Sequence, residues 1–333
     1  MKKTLIIMLS AALALSACNS PETKALVKKS SSGKTQEMIL AANRGLYTGA
    51  TKELIDSIFC QPQQGLPQPE PRFDVVNIPV SSLENTQMFQ MHRNIVLCDI
   101  REDNPDKLYI HHDKWAEPQV VIDIAASSEA SLQNLLRKHS ARIIDELYNA
   151  EYRRMAAAFY RDRNVDLMKR VQAKFGFSLT LPQEFTMARE DDGFAWLMKR
   201  TKDFDLNVLV HVEPYRDQHQ FDADKIFNRL DTTMRRNVAG PAEGSYMGTE
   251  RRVEISSRVI DFEGAKYAVE CRGQWRLFGD FMGGPFVSYT VLSPDGTQVV
   301  ELTGFVYCPR FDKRDYLMQV DGICRSLKWP AVE

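Results

Sequence analysis

The sequence lacks the motifs that usually indicate a catalytic or metal centre. Its 333 residues contain no C-x-x-C pair, no H-E-x-x-H pattern and no G-x-S-x-G turn, which mark many zinc, redox and serine-nucleophile sites. Surplus positive charge is also absent, because 43 Lys and Arg residues face 44 Asp and Glu residues. Nucleic-acid binding requires such a surplus, so no nucleic-acid partner is expected. The missing motifs leave an enzymatic activity open.

No apolar run is long enough to cross a membrane as a helix, which takes about 20 residues. The longest run extends only from Leu5 to Ala17, and it follows two lysines. A basic start, an apolar centre and small residues at the end predict a secretory signal peptide over residues 1–17. Because Cys18 comes next, the segment resembles the bacterial lipobox. That resemblance implies fatty acyl chains on Cys18 and cleavage on its amino side.

Cysteines and histidines are few. Six cysteines are present, and lipidation of one leaves five, an odd number that cannot all pair in disulfides. We expect these five to be small buried hydrophobic residues. His211 and Glu213 share one face of a predicted strand, but Leu209 lies on that face too, which favours a hydrogen-bonded or surface histidine. No metal and no cofactor are predicted.

The mature chain divides into a tether and two domains. Residues 18–35 are mostly polar and small, which predicts a flexible tether. An N-terminal domain over residues 36–163 closes with a long amphipathic helix that begins at a cap on Ser127 or Ser128 and extends to Arg161. A C-terminal domain occupies residues 164–333.

The C-terminal domain opens with a helix and continues with strands. The helix over Val165–Phe175 is predicted to end at Gly176, a residue suited to a helix C-terminus. Alternating runs then predict strands, including Phe177–Leu181 and Arg252–Phe262. A group of strands that is followed along the chain by helices predicts an α+β fold. We expect two α/β sandwich domains with largely antiparallel sheets.

The best candidate site surrounds a Gly-Gly-Pro turn in the C-terminal domain. Adjacent glycines permit close backbone approach, aromatic rings can stack on a ligand, and an arginine can pair with an anionic group. The candidate ligand-binding residues are Arg272, Trp275, Asp280, Gly283, Gly284 and Phe286. The alternative is a tight structural turn in which the aromatic residues fill the core and Arg272 pairs with Asp280.

Several segments resemble a known family. In the second half they are Gly244–Met247, Arg272–Trp275, Asp280–Phe286, Gly304–Tyr307 and Lys313–Arg314, and in the first half they are Gly45–Gly49 and Pro62–Pro71. Over nearly the whole mature chain the sequence is similar to the domain of unknown function numbered 4837, found in envelope lipoproteins of Bacteroidota. That resemblance implies lipidation and export but no activity. On Phe177–Pro182 and Arg325–Lys328, the second half is also similar to the PsbP-like fold, an α/β/α sandwich used mostly for binding.

Two functions are consistent with these observations. The first is a non-catalytic binding or scaffold module in the periplasm, attached to the membrane through the lipid on Cys18 and contacting a protein or glycan of the envelope. The second is a hydrolase of an envelope polymer that uses a carboxylate such as Asp280 or Glu270 as its base. Surface-exposed lipoproteins of this phylum often carry several acidic residues after the lipidated cysteine. Here only Glu22 follows closely, so we expect the periplasmic face of the outer membrane.

Overall fold

The computed structural model describes residues 28–330 and confirms an α+β fold in two domains. Cys18 and the predicted signal peptide lie outside the described residues. The elements of the first domain are β1 (Lys29–Ser30), β2 (Glu37–Ala42), α1 (Gly49–Phe59), β3 (Asp74–Pro79), α2 (Val80–Asn85), α3 (Gln87–Gln90), β4 (Asn94–Ile100), β5 (Lys107–His112), β6 (Ala116–Glu117), β7 (Val120–Ala126) and α4 (Glu129–Arg161).

The first domain is built on a five-stranded sheet in the order β3-β2-β4-β7-β5. Strand β2 is parallel to both β3 and β4, and β4 is parallel to β7. Only β5 runs antiparallel to its neighbour β7. The expectation of a largely antiparallel sheet therefore does not hold for this domain. The reason is that α1 returns the chain between β2 and β3, α2 and α3 return it between β3 and β4, and β5 returns it between β4 and β7. Strands β2, β3, β4 and β7 therefore start at the same end of the sheet.

Helices cover both faces of this sheet. Helices α1 and α4 pack on one face, where Leu40, Val96 and Ile122 are fully buried. Helix α2 covers part of the other face through Leu83, which packs with Ile95. Helix α4 begins as predicted, because the Ser128 side chain accepts a hydrogen bond from the N–H of Ser131. It also ends at the predicted Arg161.

The second domain contains an eight-stranded, fully antiparallel sheet. The strands follow the order β11-β13-β14-β15-β10-β9-β8, with β12 also paired to β13. Its elements are α5 (Val165–Phe175), β8 (Thr186–Asp191), β9 (Phe194–Arg200), β10 (Asp205–Pro214), a 3₁₀ turn (Gln218–Phe221), α6 (Ala223–Asn237), β11 (Tyr246–Thr249), β12 (Ser256–Val259), β13 (Tyr267–Phe278), β14 (Gly283–Leu292), β15 (Gln298–Tyr307) and α7 (Arg314–Arg325).

Helices α5 and α7 pack on one face of this sheet and α6 on the other. Helix α5 ends at the predicted Gly176, whose φ is +77°. The segment 177–181 is not a strand, since Ser178 alone forms a β-bridge there, an isolated one with Lys328. The strand predicted over 252–262 shortens to β12.

The end of the predicted tether is attached to the first domain. Strand β1 pairs in parallel with β6, and the Ser32 N–H donates to the Met91 carbonyl at 2.8 Å. Residues 29–32 therefore belong to the folded part of the chain. In the part of the chain that the structure describes, no helix has the length and apolar character needed to span a membrane.

The two domains contact each other through the proline-rich loop between α1 and β3. Leu66 of this loop is buried in the core of the second domain. Asp74, at the start of β3, accepts two hydrogen bonds from the Arg314 guanidinium at 3.2 and 2.7 Å. A buried apolar contact and a two-point ion pair thus join the two domains.

Candidate functional site

The six predicted site residues lie in and beside the β13–β14 hairpin, but they do not converge. Arg272 and Trp275 are both on β13 and are three residues apart, so their side chains point to opposite faces of the sheet. Asp280 lies in the turn and accepts the N–H of Phe281 at 2.6 Å. It does not pair with Arg272, whose partners are Glu270 and Asp321.

Gly284 allows Trp275 to be held in place. The Trp275 indole N–H donates to the Val306 carbonyl at 3.1 Å. A Cβ on Gly284 would lie 2.2 Å from that carbonyl oxygen and 3.1 Å from the indole nitrogen. A side chain at this position would therefore occupy the space that the hydrogen bond uses. Phe286 is fully buried beside it, and Gly283 pairs with Arg276 at the start of β14.

Trp275 forms part of a cavity that we call the aromatic groove. The groove has a volume of about 410 Å³ and lies on the α6 face of the sheet, beyond the end of that helix. Its floor includes four aromatic side chains and a buried amide, those of Trp196, Trp275, Phe305, Tyr307 and Asn207, and its rim has the charged Arg200 and Asp205. The Trp196 indole N–H donates to Asn207 at 2.9 Å. Both indole rings are thus fixed by hydrogen bonds before any ligand arrives.

Arg272 lies in a different cavity, which we call the interdomain cleft. This cleft has a volume of about 610 Å³. One wall comes from α4 and the proline-rich loop of the first domain, with Tyr148, Tyr152 and Arg72. The other wall comes from β12, β13 and α7 of the second domain, with Arg258, Glu270, Arg272 and Arg325.

Buried charges form the floor of the cleft. Glu270 accepts hydrogen bonds from Arg258, Arg272 and Arg325 at 2.8 to 3.1 Å. Asp321 accepts from Arg272 at 2.6 Å and from Tyr152 at 2.8 Å. The Tyr289 hydroxyl contacts both carboxylates. Each carboxylate therefore has several partners, as a buried charge requires.

Comparison with family models assigns the two halves of the chain separately. Residues 164–326 match the family described as Domain of unknown function (DUF4837). This match covers most of the second domain, which we therefore call the DUF4837 domain. Residues 31–160 match a different family, described as Domain of unknown function (DUF8532). The resemblance was expected over nearly the whole mature chain, but the first-half segments Gly45–Gly49 and Pro62–Pro71 fall in the DUF8532 match. No curated protein matches this chain.

Glu270 of the DUF4837 domain has the wrong electrostatics for a general base. Burial alone raises the pKa of this carboxyl, but the guanidiniums of Arg272 and Arg258 outweigh burial and hold the pKa well below its usual range. A general base works best when its pKa lies near the operating pH. The hydrolase hypothesis expected a raised pKa, so this residue does not support it.

His211 and Glu213, which share one face of a strand, do not form a metal site together. His211 lies 3.8 Å from Glu301, while Glu213 contacts Arg229 at 3.3 Å. Between residues 28 and 330, no group of three His, Cys, Asp or Glu side chains is arranged to hold a metal ion. The five cysteines of that range carry free thiols, and all but Cys60 are buried.

Sequence reasoning missed most of both cavities. Trp196, Phe305 and Tyr307 reach the groove from strands distant in sequence, and Arg325 reaches the cleft from the last helix. One signal in the sequence could have separated the two sites. Side chains of a strand alternate between its faces, so Arg272 and Trp275, three residues apart on β13, must lie on opposite faces.

Proposed function

We propose that this protein is a lipid-anchored envelope protein whose DUF4837 domain binds a ligand in the aromatic groove, without catalysing a reaction. The observation that carries the proposal is the pair of fixed indoles, Trp275 and Trp196, in the floor of an open cavity. Rings held in advance lose little conformational freedom on binding, which favours recognition.

The chemistry of the groove favours a sugar ring of an envelope glycan. The aromatic side chains of the groove can pack against the apolar face of such a ring, while its polar groups can bond the hydroxyls. Arg200 and Asp205, which pair at 3.3 Å, and the amide of Asn207 provide these polar groups. A groove for an acyl chain would not need a rim of this kind.

The N-terminal sequence supports the proposed attachment and location. The lipobox-like segment ending at Cys18 supports a lipid anchor. Several acyl chains would attach the protein firmly, because each buried CH₂ contributes about 0.8 kcal/mol to the free energy of membrane binding. The scarcity of acidic residues after Cys18 supports the periplasmic face of the outer membrane. A Cys18→Ala variant is expected to leave the membrane fraction, and intact-mass spectrometry of the wild-type protein should show the acyl chains.

Tryptophan fluorescence tests the groove directly. Titration with fragments of envelope glycans should change the emission of the wild-type protein and of a Trp115→Ala control, which alters only the first domain. The response should be lost in Trp196→Ala, where the floor is incomplete. Equal responses of the two variants would contradict the proposal.

A further inference from the structure

The interdomain cleft carries a second site, on the opposite face of the sheet from the aromatic groove. At and beneath its floor, Arg272 and Arg325 pair with the buried carboxylates of Glu270 and Asp321. Arg258, whose side chain is 57% exposed, also pairs with Glu270, so that the network has one more positive than negative group. Because the cleft is partly removed from water, this surplus acts more strongly than it would at an open surface.

Two arginines have hydrogen-bonding capacity that the fold does not use. Within residues 28–330, the Arg72 guanidinium makes no hydrogen bond or ion pair, although it lines the cleft. Its backbone N–H and carbonyl are bonded to Gln61 and Gln36, so the loop does not need this side chain for its shape. Arg258 uses only Nε, which donates to Glu270 at 2.8 Å. Its two terminal nitrogens remain available.

We propose that the interdomain cleft binds an oxyanion, a carboxylate or phosphate group of a small ligand, between Arg72 and Arg258. A guanidinium presents two parallel N–H groups that match the geometry of these anions. The two arginines come from different domains, so the ligand bridges them. Tyr148 and Tyr152 on the first-domain wall and Gln63 and Gln64 beside them offer contacts to the rest of the ligand.

The cleft also contains acidic groups that limit where the anion lies. Asp145 and Asp261 are exposed at its edges, on the first and second domain respectively. They repel an anion from these edges, whereas the guanidiniums of Arg72 and Arg258 attract it. The site is therefore placed at these two guanidiniums, away from Asp145 and Asp261.

Calorimetric titration with inorganic phosphate and with succinate tests the proposal. The full-length protein at low salt should bind at least one of them, and the stronger of the two shows whether the natural ligand offers phosphate or carboxylate. Arg72→Gln combined with Arg258→Gln should weaken binding by about 10- to 100-fold, as for lost hydrogen bonds to charged groups. Arg258→Lys keeps the charge but not the two-point geometry and should weaken binding less.

Control variants separate this site from the aromatic groove and from folding. Arg216→Gln removes an exposed arginine outside the cleft and should leave binding unchanged. Trp196→Ala should also bind phosphate normally, because this inference does not rest on the groove. Thermal unfolding checks that each variant is folded. Failure of the wild-type protein to bind either anion in the millimolar range, or unchanged affinity in the double arginine variant, would overturn the proposal.

Discussion

Glu70 of the first domain caps a helix of the second. Its carboxylate oxygens accept the backbone N–H of Lys313 at 2.8 Å and of Arg314 at 2.9 Å, at the start of α7. A carboxylate at a helix N-terminus satisfies N–H groups that lack partners within the helix and also interacts favourably with the helix dipole. The helix that contributes Asp321 and Arg325 to the cleft therefore depends on the first domain for its first turn.

Glu70→Ala should destabilise the protein by about 1–2 kcal/mol, the usual cost of a lost helix cap, because two N–H groups become unpaired. Urea unfolding measures this change, and hydrogen exchange should be faster at Lys313 and Arg314. Glu84→Ala, which removes an exposed glutamate of α2, is the matched control. The cap is unimportant if the two variants unfold at the same urea concentration.

Gly284→Ala should destabilise the second domain. The added Cβ would meet the Val306 carbonyl oxygen at 2.2 Å, and relief of such overpacking typically costs about 1–3 kcal/mol. The loss of the Trp275 hydrogen bond should also shift the tryptophan emission. Gly322→Ala is the control, since its Cβ would meet only side chains at 3.3 Å or more, those of Met155 and Phe159, among the atoms nearest to it.

Thermal unfolding of both glycine variants shows whether a clash specific to Gly284 lowers the stability, or whether any side chain added at a buried glycine of this domain does so. We expect Gly322→Ala to be neutral or slightly stabilising, because alanine favours a helix more than glycine does. Similar midpoints for the two variants would show that Gly284 is not required for the position of Trp275.

Glu270→Gln should be strongly destabilising near neutral pH, by about 3–5 kcal/mol, because it leaves buried guanidiniums without their shared partner. The pKa of Glu270 is lowered in the folded protein by Arg272 and Arg258, against the effect of burial. Its ionised form therefore stabilises the fold above the ordinary pKa of 4.5, and this contribution is lost as the pH falls below that value.

Urea unfolding at several pH values tests that sign. The stability difference between wild type and Glu270→Gln should be largest near neutral pH and should shrink as the pH falls from about 5 to about 2. Asp261→Asn removes an exposed carboxylate of the same cleft and should have little effect throughout. A difference that grows in acid would contradict the predicted charge state of Glu270.

Helix ends could be predicted from the sequence because their causes are local. Ser128 caps α4 with its own side chain, and Gly176 ends α5 because it adopts a positive φ. Sheet pairing could not be predicted equally well. The direction of β2 relative to β4 depends on how three intervening helices and strand β3 return the chain, and adjacent residues do not determine that path.

The site was harder to predict because its residues are distant in the chain. The structural alternative paired Arg272 with Asp280, eight residues away, but Arg272 pairs with Glu270 and with Asp321 on α7 instead. Nothing in the sequence near Asp321 signals this contact. The Gly283-Gly284 pair did indicate close backbone approach, and Gly284 provides it next to Trp275.

Site-specific crosslinking in native envelopes tests the central proposal most directly. A photoreactive phenylalanine analogue at Met282, beside the aromatic groove, should form an adduct with an envelope glycan in the full-length, membrane-attached protein. That adduct should disappear when Trp196→Ala is added, and it should be absent when the analogue is placed at the exposed Val165. No glycan adduct at Met282, or the same adduct at both positions, would contradict a binding function for the groove.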